Sequence, residues 1–196
     1  RVGCWEGGRP GPVRRGTGGG PGTEPSGVLA MGRGSEELDR EAGDFRGRLL
    51  GLAGNLAALD RRTRYLDLDL NRAWLPERLR VVERGGGPCD AQCMEQRELL
   101  REIRAAVGGA AGDVYFLDLH TSSAQGTPFA CVGDTLRNRR FSRLFPVPVI
   151  LGLEEQIDGA LLEHLNNAGL VTMGFEGGRP GPLLLCTGGL FREVQL

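Results

Sequence analysis

The sequence predicts an α/β fold with a mainly parallel or mixed sheet flanked by helices. Three stretches carry that prediction. DVYFLDLH (113–120) contains a short apolar run of β-forming residues, the pattern of a strand buried on both faces. PVPVILGL (146–153) and LVTMGFE (170–176) read as two further strands, and EEQIDGALLEHLNNAG between them reads as a helix ending near Gly169. Strand, helix and strand in alternation place helices over a parallel sheet.

The other elements follow in chain order. Residues 1–35 are rich in glycine and proline, the composition of a linker. Leu49 to Leu59 is richer in apolar residues and leads into RYLDLDLNRAW. Within it YLDLDL (65–70) alternates apolar and acidic side chains, which suits an exposed strand or a structured loop. Residues 90–107 (DAQCMEQRELLREIRAAV) read as an amphipathic helix. Leu99, Leu100, Ile103 and Val107 form its stripe, and the glycines at 108, 109 and 112 stop it.

One segment occurs twice. EGGRPGP stands at 6–12 and again at 176–182, and TGG at 17–19 and 187–189, both at an offset of 170. The middle of the first copy is VRRG and of the second LLLC. A buried strand holds LLLC readily, whereas two arginines need partners. The first copy is therefore expected at a sheet edge or altered, with residues 183–187 taking the sheet position that 13–17 cannot. An offset this long is a duplicated piece and not a solenoid repeat.

Composition bounds the function classes. The 196 residues suffice for one domain with a sizeable core. A net charge of -1 and a pI near 6.2 give no electrostatic case for nucleic acid. Arg137, Arg139, Arg140 and Arg143 read as a solvated face. No apolar run approaches the roughly 18 residues that span a bilayer, so no membrane partner is expected. No signal peptide is visible, and the expected location is cytoplasmic. The five cysteines (4, 89, 93, 131 and 186) fit no zinc or disulfide framework. Cys89 and Cys93, one helical turn apart in CDAQC, read as reduced thiols.

Few residues carry candidate chemistry. His120 follows an apolar strand, at the sheet edge where ligands bind in parallel α/β folds. It is either a ligand or a core histidine satisfied by a backbone carbonyl. His164, the second of two histidines, lies in a helical pattern as a surface or half-buried residue. Arg64, Asn71 and Arg72 cluster around DLDLNR. Two guanidinium forks and an amide suit a small anionic ligand, though the stretch taken alone favours a charged loop with local salt bridges. Glu176 ends a strand, where a carboxylate can serve as a general base. Glu24, in the turn GGGPGTEPSG (18–27), is one carboxylate in a glycine-rich loop.

Together these stretches resemble the succinylglutamate desuccinylase/aspartoacylase family, whose fold is zinc carboxypeptidase-like. The resemblance runs in order through GTEPSGVLAM (22–31), FRGRLLGLAGNLAALDRRTRYLDLDLNRAW (45–74), DLHTSSAQGTPFACVGDT (118–135), PVILGLEEQIDGALLEHL (148–165) and GLVTMGFEGG (169–178). It implies a zinc-dependent hydrolase that cleaves the amide bond of a small N-acyl amino acid or related carboxylate with a zinc-activated water. Glu24 and His120 match two zinc ligands of the family. Arg64, Asn71 and Arg72 match the residues that hold the substrate carboxylate and the attacked carbonyl, Arg64 with a catalytic part as well. Glu176 matches the glutamate that acts on the water. The resemblance divides the chain into a catalytic domain, 1–178, and a tail, 179–196, repeating the N-terminal segment. It also implies a C-terminal β-rich region missing here.

The sequence departs from the family at Pro21, which stands where the first histidine ligand belongs. Proline offers a metal no side-chain lone pair. Three readings follow: a zinc-dependent amide hydrolase, a metal-poor non-catalytic homologue that binds a small carboxylate, and a fragmentary or frame-altered product.

Overall fold

In the computed structural model, seven strands form one mixed sheet in the order β1-β3-β2-β4-β7-β5-β6. The structure describes residues 3–6, 9–18, 27–32, 36, 46–85, 89–110, 112–121 and 126–178. The strands are β1 (Gly3–Glu6), β2 (Arg9–Gly18), β3 (Arg46–Ala53), β4 (Val114–His120), β5 (Phe129–Val132), β6 (Val149–Leu151) and β7 (Val171–Glu176). β3, β2, β4 and β7 run parallel to one another. β1 pairs antiparallel with β3, and β5 with β7. The expected α/β class with a mixed sheet holds.

Helices cover both faces, because each strand alternates its apolar side chains between them. On one face Leu50, Leu52, Val114 and Phe116 pack against α3 (Pro76–Arg84), α4 (Ala91–Val107) and α6 (Leu161–Asn167). On the other, Leu49, Leu117, Leu119, Met173 and Phe175 pack against α1 (residues 27–32) and α5 (Leu136–Ser142). The helix expected over 90–107 is α4. Asp90 caps it by accepting the Cys93 amide, and Leu99, Leu100 and Ile103 are buried with Val107 packed beside them. A short α2 (Leu56–Arg61) follows β3.

Several expectations need correction. VRRG does not lie at an edge: Val13–Gly18 of β2 pairs with β3 on one side and β4 on the other. Main-chain ladders form whatever the side chains, so the arginines do not bar the segment from the interior. Residues 183–187, with the whole tail 179–196, lie outside the described residues. The helix expected over 154–169 is confined to α6, preceded by a 3-10 turn at Glu154–Gln156. Gly159, at a φ of +73°, breaks the run. Cys89 and Cys93 are joined as a disulfide and not reduced thiols; their Cα atoms are 5.3 Å apart, within bridging range. Among the described residues, no helix is long and apolar enough to cross a membrane.

Candidate functional site

Parallel pairing of β4 with β7 sets His120 directly beside Glu176 at the C-terminal ends of both strands. The Gly177 amide donates to the His120 carbonyl at 2.9 Å and fixes that register. Because side chains alternate, Asp118 and His120 share a face with Gly174 and Glu176, above Phe116. His120 Nε2 lies 2.8 Å from Asp118 Oδ2, and these side chains are only 12% and 5% exposed. The partner of this ring nitrogen is a carboxylate and not a backbone carbonyl.

The connection between α2 and α3 supplies the cations, and YLDLDL belongs to it rather than to a strand. Two buried glutamines of α4 brace it. Gln92 donates to Asn55 Oδ1 and accepts the Asp67 amide, and Gln96 donates to the Ala73 carbonyl. A 3-10 turn at Leu70–Arg72 follows, capped by Asp69, whose Oδ1 accepts the Asn71 amide at 3.0 Å. Asp69 Oδ2 also accepts from Arg64 Nε and Nη2. Arg72 Nη1 donates to the Asn71 carbonyl at 2.7 Å. Asn71 Oδ1 accepts the Leu161 amide at 3.1 Å, at the start of α6.

These segments enclose a cavity of about 330 Å³. Arg64, Asn71, Arg72, His120 and Glu176 all line it, together with Thr121, Cys131, Glu154 and Gly174. The five described candidates thus converge from three separated stretches. Glu24 and Pro21 lie outside the described residues. His164 is elsewhere: it is half-buried on α6 and stacks on Trp74 with ring centroids 5.7 Å apart. Burial holds its pKa below the ordinary value. Of the arginine cluster, Arg137, Arg140 and Arg143 are exposed as expected, but Arg137 also ties down the Leu170 and Asn166 carbonyls and Arg139 pairs with Asp134.

Burial dominates the titration of the cavity floor. Glu154 is 5% exposed, and no side chain answers its carboxylate, beside which stand only the Gly133 and Gly174 backbone amides. Desolvation and the Asp118 charge push its pKa up to about 8, with the nearby Gly133 and Gly174 amides opposing. The Cys131 thiol is pushed up to about 12 by burial and by Glu176 and Glu154, so it stays protonated at neutral pH.

His120 has the outer-shell support typical of a metal ligand, a carboxylate on one ring nitrogen. A catalytic zinc takes three protein ligands. Among the described residues, no group of three His, Cys, Asp or Glu side chains is arranged to hold a metal ion. Of the three positions that the family resemblance designates, Pro21 has no donor atom in its side chain. The described residues, with proline at one designated position, do not supply the three ligands of a catalytic zinc.

Known structures share this architecture. A succinylglutamate desuccinylase from Chromobacterium violaceum matches with a TM-score of 0.73 at 18% identity, over 95% of this chain and 60% of its own. The chain has the fold of the succinylglutamate desuccinylases and aspartoacylases. An aspartoacylase family protein from Mesorhizobium loti matches at 0.73 and 20% identity, over 97% of this chain and 59% of its own. The product-bound ectoine utilization protein EutE (DoeB) from Ruegeria pomeroyi matches at 0.68 and 21% identity, over 92% and 56%. The chain therefore spans less than two thirds of these desuccinylase and aspartoacylase chains. No family model and no curated protein matches the sequence.

Several site residues escaped sequence reasoning. Asp118 carried a signal, since a residue two before His120 on a strand shares its face. Gln92 and Gln96 sit one turn apart on the buried side of α4, a polar pair where the stripe predicts apolar residues. Glu154 and Cys131 carried none, because their burial is a tertiary fact.

Proposed function

We propose that this chain is the catalytic portion of an amidohydrolase-type enzyme acting on a small N-acyl amino acid. One observation carries the reading: Arg64, Asn71, Arg72, His120 and Glu176 line a single cavity of substrate size. The names of the like-folded enzymes describe removal of an acyl group from an amino acid. Arg72 and the Asn71 amide take the substrate carboxylate through charge-assisted hydrogen bonds. Arg64 faces the attacked carbonyl and stabilises the oxyanion. Glu176 accepts a proton from the attacking water, whose oxygen bonds to the acyl carbon. The C–N bond breaks, and the proton passes to the leaving amine. Asp118 keeps the His120 ring in place throughout.

A second reading is a metal-poor homologue that binds the carboxylate without turnover. Pro21 at the position of a family ligand favours it. Hydrolysis of a panel of N-acyl amino acids, with zinc content measured on the purified protein and on Pro21→His, separates the two. Turnover by the protein as it stands supports the enzyme. Binding without turnover, with zinc and activity appearing only in Pro21→His, supports the binder. Absence of both binding and turnover refutes both.

A further inference from the structure

Cys89 and Cys93 differ from the other described cysteines, Cys4 and Cys131, which are free thiols. Cys89 precedes α4 and Cys93 lies in its first turn, so the disulfide closes a ring around Asp90, Ala91 and Gln92. The two ends of the bridge are unlike. Cys93 is 4% exposed within the core, whereas Cys89 is half-buried at its margin. Cys89 is therefore the end open to an incoming thiolate.

The surroundings of Cys93 suit it to leave as a thiolate. It sits at the N-terminal end of a 17-residue helix, where the helix dipole is positive. Arg97, one turn further on, brings Nη2 to 4.0 Å from Cys93 Sγ. The neighbouring Asp90 carboxylate is itself answered, by the Cys93 amide at 2.6 Å and by Arg78 Nη2 at 3.1 Å. A cation beside the sulfur and a helix N-terminus favour the thiolate, and a stabilised thiolate leaves a disulfide faster. The ring also holds the residue that ties α4 to the cavity. Gln92 is wholly buried. Its Oε1 accepts the Asp67 amide at 2.9 Å, and its Nε2 donates to Asn55 Oδ1 at 3.1 Å. Asn55 Nδ2 in turn donates to the Arg64 carbonyl at 3.4 Å. One bond reaches the connection that carries Arg64, Asn71 and Arg72 directly, and the other reaches it through Asn55.

We propose that Cys89–Cys93 is a thiol–disulfide exchange site for a dithiol reductant, and that its state sets how firmly Gln92 holds the cation-bearing connection. A thiolate of the reductant bonds to Cys89 Sγ, the Cys89–Cys93 bond breaks, and Cys93 leaves as a thiolate. The reductant's second thiolate attacks its own bonded sulfur and frees Cys89. Two electrons pass to the protein, the reductant closes its own disulfide, and the two new thiolates take up the protons that the reductant gave up. The ring is then open. Asp90 still caps α4, but the turn that carries Gln92 gains freedom. The exchange stands apart from the amidohydrolase reading above, and its effect on ligand binding rests on that reading.

Amide spectra and calorimetry of the full chain, first oxidised and then in dithiothreitol, test it with Nα-acetyl-norvaline as the ligand probe. Reduction is expected to free two further thiols in a colorimetric titration and to shift the Asn55, Asp67 and Arg72 amides. Probe binding is expected to weaken about fivefold, the worth of one hydrogen bond. The double variant Cys89→Ser, Cys93→Ser should match the reduced protein and no longer respond to dithiothreitol, which sets aside the remaining cysteines. Failure to gain two thiols, or shifts confined to residues 89–93 with probe binding unchanged, overturns the proposal and leaves the amidohydrolase reading standing. Shifts at Asn55 and Asp67 with no probe binding in either form support the exchange site and overturn that reading.

Discussion

Replacing Glu154 with glutamine separates burial of a charge from burial of a shape. The side chain of Glu154 is almost wholly buried, the Gly133 and Gly174 amides offset that burial only in part, and its pKa rises from its ordinary 4.5 to about 8. The folded state therefore keeps the proton where the unfolded chain has lost it. Stability from this group is complete below about pH 4.5 and declines as pH rises toward 8. The interval spans about 3.5 pH units, which at ~1.36 kcal/mol per unit sets a ceiling of ~5 kcal/mol. The amide that replaces the carboxyl in Glu154→Gln carries no charge at any pH. Urea unfolding at pH 5, 7 and 8.5 should show the unaltered protein losing several kcal/mol more than Glu154→Gln between the ends of that range. Parallel stability curves for the two proteins would refute the reasoning, since they would mean that Glu154 ionises without penalty.

Other outcomes follow from the same geometry. Arg64→Ala should weaken binding of an N-acyl amino acid about tenfold or more by calorimetry. Its effect on stability should stay below ~1 kcal/mol, because Arg64 in the Arg64–Asp69 pair is half exposed. Asn71→Ala removes the acceptor of the Leu161 amide and should cost about 1–2 kcal/mol in urea unfolding, along with ligand affinity. Gly159→Ala places a methyl 2.5 Å from the Arg72 carbonyl at a φ of +73°. It should cost about 1–3 kcal/mol and weaken carboxylate binding by displacing the arginine loop.

Local patterns revealed the elements that local physics decides. β4 and β7 were readable because an apolar run flanked by polar residues suits a strand buried on both faces. α4 was readable because its stripe has helical spacing and Asp90 caps it. The helix over 154–169 was read as too long. Asp158-Gly159 carried a turn signal, yet the apolar run past it masked the left-handed glycine. The position of β2 was misread from its arginines, because strand order is decided by main-chain pairing and by which edges remain. In the site, single residues with distinctive chemistry (His120, Glu176, Arg64, Asn71 and Arg72) stood out in the sequence. Their supports did not. Asn55, Gln92 and Asp118 act across 37 residues or through a strand's own pleat, and Glu154 matters only because the fold buries it beside Asp118.

The central claim is that one cavity, between the ends of β4 and β7 and the connection from α2 to α3, receives the acyl amino acid. Backbone amide shifts of the labelled protein, titrated with Nα-acetyl-norvaline, test it most directly. The account predicts saturable shifts concentrated at Asn71, Arg72, Thr121, Gly174 and Glu176. Shifts confined to another surface, such as Arg137 to Arg143, or none at millimolar ligand, would contradict it.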